Sequence, residues 1–493
     1  MSLSLTTRPG RPRVGDVLLL NPRYRRNPCS SAGRHALAPS LALPLLAAAT
    51  PAAYSVRIHD ENISLGPLLA RVPEVVGITV HTAFAHRAYA LARHYRARGA
   101  RVVLGGLHVT ACPDEARFHA DAVVVGDGVP VWPDVLAGLR NGSLRGGTVV
   151  RGSFRRPGYA AAPRPRRDLL PRGSFLTTAA VIATRGCTNR CAFCYMATRG
   201  LRCPYQQRPV ADVLAEIDAV GEPYVVFTDN NLMADADYGL RLARGLRERR
   251  LIWSAALTVD VARHPRLVAE MAASGCQGVF VGLETLQDAS LAEAGKRTLP
   301  PSRYRDAVRL LHDHGIQVNG SFVFGFDHDG PDVFERTLRF IVDERLECAT
   351  FHILTPYPGT PLFESLEAQG RILTRDWARY DTAHVVFRPA RMSAEQLRAG
   401  YEESYRQLYR WPTILARRPR GALGSGAYLA MTLLYKKWDR LFALAAPLGL
   451  THGLWRPLVA LHRRLHLGAR PAALPGSCDT LERRTRQPLS AAA

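Results

Sequence analysis

At 493 residues the chain is too long for one average core, so two or three domains are expected. Hydrophobic residues at 47% and charged ones at 22% exclude a disordered or fibrous protein, and nine cysteines over this length exclude the disulfide framework of a small secreted domain. The formal charge of +23 and pI near 10.2 favour anionic partners such as nucleic acid, an anionic membrane surface or a phosphorylated substrate, although an arginine-rich composition alone selects no function.

The first fifteen residues are polar and basic, with no apolar run of the kind a signal peptide needs. No window holds 18 uninterrupted apolar residues; the run at 427–450 is broken by Lys436, Lys437, Asp439 and Arg440. A cytoplasmic location is expected. Short, nearly continuous apolar runs at 17–21, 54–60, 75–80, 100–106 and 121–126 read as parallel strands buried on both faces. Between the third and fourth, residues 83–99 are apolar at helical spacing and stop at Gly99. Together they predict an α/β domain, doubly wound and Rossmann-like, over 15–140.

Residues 141–175 are rich in Arg, Gly and Pro and read as a linker over a surface. A second alternation follows, with strands expected at 179–184, 224–230, 252–259, 278–284, 316–326 and 349–360 and helical segments between them. Six βα units predict a partial (β/α)6 TIM-type barrel over 176–390, with its site at the C-terminal strand ends. From 391 to 470 the chain reads as a helical C-terminal region, opening on Ser393 as an N-cap with Glu395 close behind; 471–493 read as a tail.

The stretch TRGCTNRCAFCYMATRG, 184–200, brings Cys187, Cys191 and Cys194 close together after the first barrel strand. A structural zinc site asks for four ligands and would have to recruit Cys203. A redox pair formed by Cys191 and Cys194 would leave Cys187 without a task. An iron–sulfur cluster on three thiolates would leave one iron open to a ligand that is also a reactant. Cys112, Cys203, Cys276, Cys348 and Cys478 read as structural thiols.

The CxxxCxxC stretch, with Phe193 ahead of its last cysteine, resembles the signature loop of radical S-adenosylmethionine enzymes. The resemblance implies a [4Fe–4S] cluster on Cys187, Cys191 and Cys194, whose open iron chelates S-adenosylmethionine and splits it into methionine and a 5′-deoxyadenosyl radical. VFTDNN resembles the second-strand motif, implying Asp229 and Asn230 at the site. VGLET resembles the fourth-strand motif, with Glu284 on polar groups of the cofactor. VNGSFVFGF resembles the glycine motif packed on adenine, giving Gly320 and Gly325, and TPYPGTPLF is similar to the sixth-strand ending. A departure follows in FDHDGPD, where many relatives have Gly-Glu-Thr; Asp327, His328 and Asp329 are expected to act differently there.

The first domain, through VLGGLHVT and DAVVVGDG, resembles the cobalamin-binding domain of one large radical S-adenosylmethionine class. Gly105, Gly106 and His108 are the cobalamin-binding residues this implies. The Asp-x-His-x-x-Gly motif that supplies a cobalt ligand in mutases is absent from residues 1–150, so cobalt is expected to lack a protein histidine. The implied activity is methyl transfer from methylcobalamin to an unactivated carbon of a small-molecule substrate, a natural product or a lipid or isoprenoid, with an external flavodoxin- or ferredoxin-type electron donor. Oxidative cyclisation or rearrangement without methyl transfer is the alternative. Methylthiolation of nucleic acid or protein ranks low, because no second cysteine trio and no RNA-binding motif are present. The basic, aromatic C-terminal helices have two readings, a cap over the barrel, which is preferred, and a peripheral membrane contact.

Overall fold

The computed structural model describes residues 15–24, 29, 34–64, 72–154 and 162–419, and of the C-terminal stretch 425, 426, 428, 429, 432, 433, 441 and 444–468. The expected tail at 471–493 lies outside the described residues. The described residues divide into two compact units, the first drawn from 15–23, 41–153 and 163–170 and the second from 24–40, 154, 162 and 171–468.

The first unit carries six parallel strands, β1 Gly15–Asn21, β2 Tyr54–Asp60, β3 Val75–Thr79, β4 Arg101–Gly105, β5 Ala122–Gly126 and β6 Thr148–Gly152, in the order β2-β1-β3-β4-β5-β6. The apolar runs become strands because both faces are covered: Val17 to Leu20 and Val102 to Leu104 are buried. Among its helices are α2 (Ala42–Ala49), α3 (Ala85–Arg96), α4 (Leu107–Ala111), α5 (Pro113–Ala116) and α6 (Trp132–Arg140); α1 (Arg34–Leu37) falls in the second unit. Trp132 is buried and its Nε1 donates to Thr50 Oγ1 at 2.8 Å, tying α6 to the end of α2. The strand order reverses between β1 and β3, and in open α/β sheets ligands bind outside the carboxyl ends of the strands at such a switch point.

The linker expected at 141–175 is corrected by the structure. It is not all surface segment, since Thr148–Gly152 pairs in register with β5 and extends the sheet. Its strand was hidden because an edge strand is only half-buried and carries an exposed Arg151 within an Arg/Gly-rich context.

The second unit contains six parallel strands in chain order, β7 Ala180–Val181, β10 Tyr224–Phe227, β11 Ile252–Thr258, β12 Cys276–Glu284, β13 Gln317–Phe324 and β14 Cys348–Ile353, with a small antiparallel pair, β8 Thr184–Arg185 and β9 Gln206–Gln207. The helices α7 Val210–Val220, α8 Ala236–Arg247, α9 Pro265–Ala273, α10 Asp288–Glu293, α11 Tyr304–Asp313, α12 Val333–Asp343 and α13 Pro361–Ala368 alternate with the strands. The barrel is open, with β7 and β14 at its edges.

The strand expected at 179–184 is cut to a two-residue rung, because the backbone N–H groups of Ala183 and Thr184 turn to the carboxylate of Asp229. The strand expected at 349–360 stops at Ile353, and Pro356 and Pro358 follow within a loop that Thr360 ends by capping α13.

Beyond the barrel, α14 (Ala394–Leu408) begins at a capping box of Ser393 with Gln396, so the reciprocal partner is Gln396 and not Glu395. Tyr405 from this helix covers the open edge: its hydroxyl accepts the N–H of Phe351 at 3.0 Å and donates to the Phe351 carbonyl at 3.2 Å. The helices α15 (Trp411–Ala416) and α16 (Thr451–Gly468) complete the described chain. Between them Arg417 is fully buried and donates to the carbonyls of Leu346 and Leu408 at 3.0 and 2.9 Å. α14 thus covers the β14 edge of the barrel.

Candidate active site

The cysteine loop follows β8 and is held by three neighbours. Gly186 has φ +83 and lies so close to the carbonyls of Cys203 and Pro204 that a Cβ would stand 2.7 and 2.5 Å from them, which reserves the position for glycine. Ala192 donates its N–H to Ala294 O at 2.8 Å and accepts the Leu362 N–H at 3.1 Å. Asn189 Oδ1 accepts the N–H of Arg297 at 3.1 Å. Phe193 meets Phe326, just past β13, edge to face with centroids 5.9 Å apart. The loop therefore sits at the C-terminal strand ends, where barrel sites are built.

Burial governs the thiols. It pushes the Cys191 thiol up to about 12, partly offset by the nearby Lys296 ammonium, and the Cys194 thiol up to about 11, partly offset by the Met196 N–H. Thiols so placed resist ionisation until a cation compensates their charge, and metal binding displaces the protons. Cys203 is buried with its thiol donating to Pro204 O at 3.3 Å. Three mutually interacting thiols on one short loop fit a cluster that takes three protein ligands.

Glu284 ends β12 in a left-handed conformation, φ +61, just after an irregularity in the pairing of β12 with β13. Such backbone costs on the order of 1–3 kcal/mol and persists only where the surroundings hold it. Lys296 supplies that hold: its Nζ donates to Glu284 Oε1 at 2.6 Å and to Gly282 O at 2.7 Å, and the lysine side chain is only 4% exposed. Burial alone would lower the lysine pKa, but the charge and hydrogen bond of Glu284 raise it overall, helped by Cys191 and Cys187. A Cβ on Gly282 would come within 2.5 Å of Glu284 Oε1 and 2.8 Å of Lys296 Nζ, so glycine leaves room for the pair.

Lys296 is the residue that motif reading passed over. A usable signal was present: it is one of only three lysines among 65 basic residues, the others being adjacent at 436 and 437. In a chain that writes arginine nearly everywhere, an isolated lysine marks a position where a compact ammonium is needed and a planar guanidinium would not fit.

The remaining expected residues fall into two groups. Asp229 is buried and turned toward the chain: its carboxylate accepts the N–H groups of Ala183 and Thr184 and the Thr184 hydroxyl, fixing the entry to the cysteine loop. Asn230 is exposed, and its Oδ1 accepts the hydroxyl of Tyr195, the residue after Cys194, at 2.7 Å. Gly320 lies in the β13 interior, where a Cβ would crowd Leu346 and Phe322 at 3.0 Å. Gly325 takes φ +107 at the strand end, and its N–H donates to Asp329, whose buried carboxylate also accepts from Phe326 N–H and the Ser290 hydroxyl. Asp327 makes a two-point ion pair with Arg371 at 2.5 and 2.7 Å. Asp327 and Asp329 of the divergent FDHDGPD segment thus hold a turn.

In the first unit Gly106 follows β4 with φ +109, and a Cβ would stand 2.9 Å from Val80 O. Gly105 has ordinary room. His108 is 0% exposed, with Nε2 3.3 Å from Glu115 Oε1. Its ring is turned into the unit, and with Cys112 and Glu115 it forms the single grouping among the described residues whose ligand atoms lie within 4.8 Å of one another.

Residues 181–341 match the Radical SAM superfamily. Bacteriochlorophyllide d C-12(1)-methyltransferase of Chlorobaculum tepidum is 31% identical over 70% of this chain and 76% of its own length. The bacteriochlorophyllide d C-8(2)-methyltransferase of the same organism is 26% identical over 76% of this chain and 87% of its own. A solved structure of the radical S-adenosylmethionine methyltransferase TsrM from Kitasatospora setae, with cobalamin and a [4Fe–4S] cluster bound, matches in fold with TM-score 0.62 at 17% identity, covering 90% of this chain and 99% of that one.

Proposed function

The chain belongs to the radical SAM superfamily, and from that premise we propose that it is a cobalamin-dependent C-methyltransferase acting on an unactivated carbon of a small, apolar molecule. The observation that carries the reading is the cysteine loop seated beside the buried Glu284–Lys296 pair in a chain that also folds a 2-1-3-4-5-6 parallel sheet. When bound, a [4Fe–4S] cluster with S-adenosylmethionine supplies a radical able to remove hydrogen from carbon, and cobalamin supplies the methyl group.

The chain's own residues do the holding and orienting. Cys187, Cys191 and Cys194 would ligate the cluster. Glu284 and Lys296, one anionic and one cationic, would engage the amino and carboxylate groups of S-adenosylmethionine, which carry the matching charges. Asp229 keeps the loop entry rigid through its backbone hydrogen bonds. Gly105 and Gly106, near the switch point of the first unit, would allow a macrocycle's side groups to approach the backbone. The electron comes from an external flavodoxin- or ferredoxin-type donor.

The relatives named above act on bacteriochlorophyllides, which supports a lipophilic substrate class, including lipids and isoprenoids. Anaerobic reconstitution with iron, sulfide and cobalamin, followed by detection of 5′-deoxyadenosine and product mass, tests the reading. Deoxyadenosine formed by wild type and lost in Cys191→Ala, with a product that gains one methyl group, supports it. A product that only loses hydrogens would replace methyl transfer by oxidative cyclisation.

A further inference from the structure

Four leucines of α16 stand in water. Leu454, Leu458, Leu461 and Leu465 are 61, 48, 54 and 42% exposed, while Thr451 on the same helix is fully buried. Their spacing of four, three and four residues puts them within one narrow arc of the helix, a stripe about 16 Å long at the α-helical rise. Leu441, Leu444, Leu448 and Leu450, just ahead of the helix, are 57, 63, 58 and 51% exposed. Scattered exposed leucines need no explanation, but eight within 25 residues, each at least two-fifths exposed, do.

The charge around this stripe is one-sided. Residues 410–470 contain eleven Lys and Arg against a single acid, Asp439. Arg456 and Arg464 on α16 are exposed. A second copy of the chain would bring like charges together along a seam of two heptads interrupted by Pro457, whereas coiled coils sustain the repeat over at least three or four. No helix among the described residues is long and apolar enough to cross a membrane. An apolar stripe on a helix that carries Arg464 at its flank and Arg456 and Arg463 on its opposite face, in an almost acid-free region, complements a surface that is apolar below and anionic above.

We propose that α16 and the leucines preceding it form a membrane-docking face, which lies in the interface of an anionic bilayer with the leucines toward the acyl chains and the arginines at the headgroups. The inference extends the proposed function by giving the enzyme access to a substrate dissolved in the bilayer, yet its test does not depend on that function.

The test is flotation of the full-length reconstituted protein with phosphatidylcholine vesicles, with and without phosphatidylglycerol. Wild type is compared with a variant carrying Leu454→Gln, Leu458→Gln, Leu461→Gln and Leu465→Gln. Binding to the phosphatidylglycerol vesicles is expected to fall by about tenfold or more in the variant, and in wild type on phosphatidylcholine alone or in high salt. Retained iron content and near-ultraviolet circular dichroism show that the variant is folded; if it is not, Arg456→Gln with Arg464→Gln tests the electrostatic half and is expected to lower binding to anionic vesicles several-fold. No binding by wild type, or equal binding by the folded variant, overturns the proposal. So does a wild-type dimer that the leucine substitutions convert to monomer, which would assign the stripe to a second copy. Vesicle binding without methyl transfer would leave the docking face standing and remove the proposed function instead.

Discussion

Lys296 Nζ lies 2.6 Å from Glu284 Oε1, twelve residues on in sequence, and this buried pair closes over Gly282 beside the cysteine loop. Removing one partner of a buried ion pair leaves the other charge uncompensated, at about 3–5 kcal/mol. Lys296→Met is therefore expected to destabilise the apo-protein by an amount in that range and to lower the iron bound on anaerobic reconstitution. Denaturant unfolding with iron counting checks both. A variant as stable as wild type would show that the pair is not what holds the β12 end.

Gly282→Ala reaches the same pair from the strand. Its Cβ would displace both charged groups, so it and Lys296→Met act on one interaction. In a double-mutant cycle the two changes together should cost clearly less than their sum, with a coupling of about 1 kcal/mol or more. Additive losses would separate the glycine from the pair.

The buried thiols make opposite forecasts for neighbouring cysteines. Alanine at 187, 191 or 194 is expected to abolish the cluster and deoxyadenosine formation. Cys203→Ser is expected to keep the full iron complement, because its thiol is engaged with the Pro204 carbonyl. Iron loss in Cys203→Ser would bring a fourth thiolate into the site.

Asp229 gives a pH signature. Burial raises its carboxyl to about 6, despite hydrogen bonds from Thr184 and Ala183, whereas an unfolded aspartate titrates near 4. Between those values the folded state holds the proton that the unfolded state has released, so stability falls as pH rises through about 4 to 6 and is level above. A rise of that size corresponds to about 3 kcal/mol. Asp229→Asn should remove that decline while adding a pH-independent loss from weakened loop hydrogen bonds; unfolding curves across this window compare the two. An unchanged pH slope in the variant would assign the titration elsewhere.

Tyr405→Phe removes the hydroxyl that serves both backbone groups of Phe351 on the edge strand. A loss of about 1–3 kcal/mol is expected from the unsatisfied strand groups. An unchanged midpoint in thermal unfolding would show that water replaces the hydroxyl.

Much of this molecule is legible along the chain because periodicity and local chemistry are properties of neighbours in sequence. The apolar runs placed the strands of both sheets except Thr148–Gly152, an edge strand whose pairing with β5 no local pattern announces. The three cysteines within eight positions declared their chemistry, since a loop that short brings thiols together in almost any conformation. What only the tertiary structure decided concerns partners far apart or a backbone bent against preference. Asp229, 46 residues from Ala183, turned out to orient the loop through backbone hydrogen bonds. Lys296 entered the site because a left-handed Glu284 at a strand irregularity aims its carboxylate at it. A motif records which residues are present, but the direction of a side chain is set by the elements packed around it, and those are assembled from distant sequence.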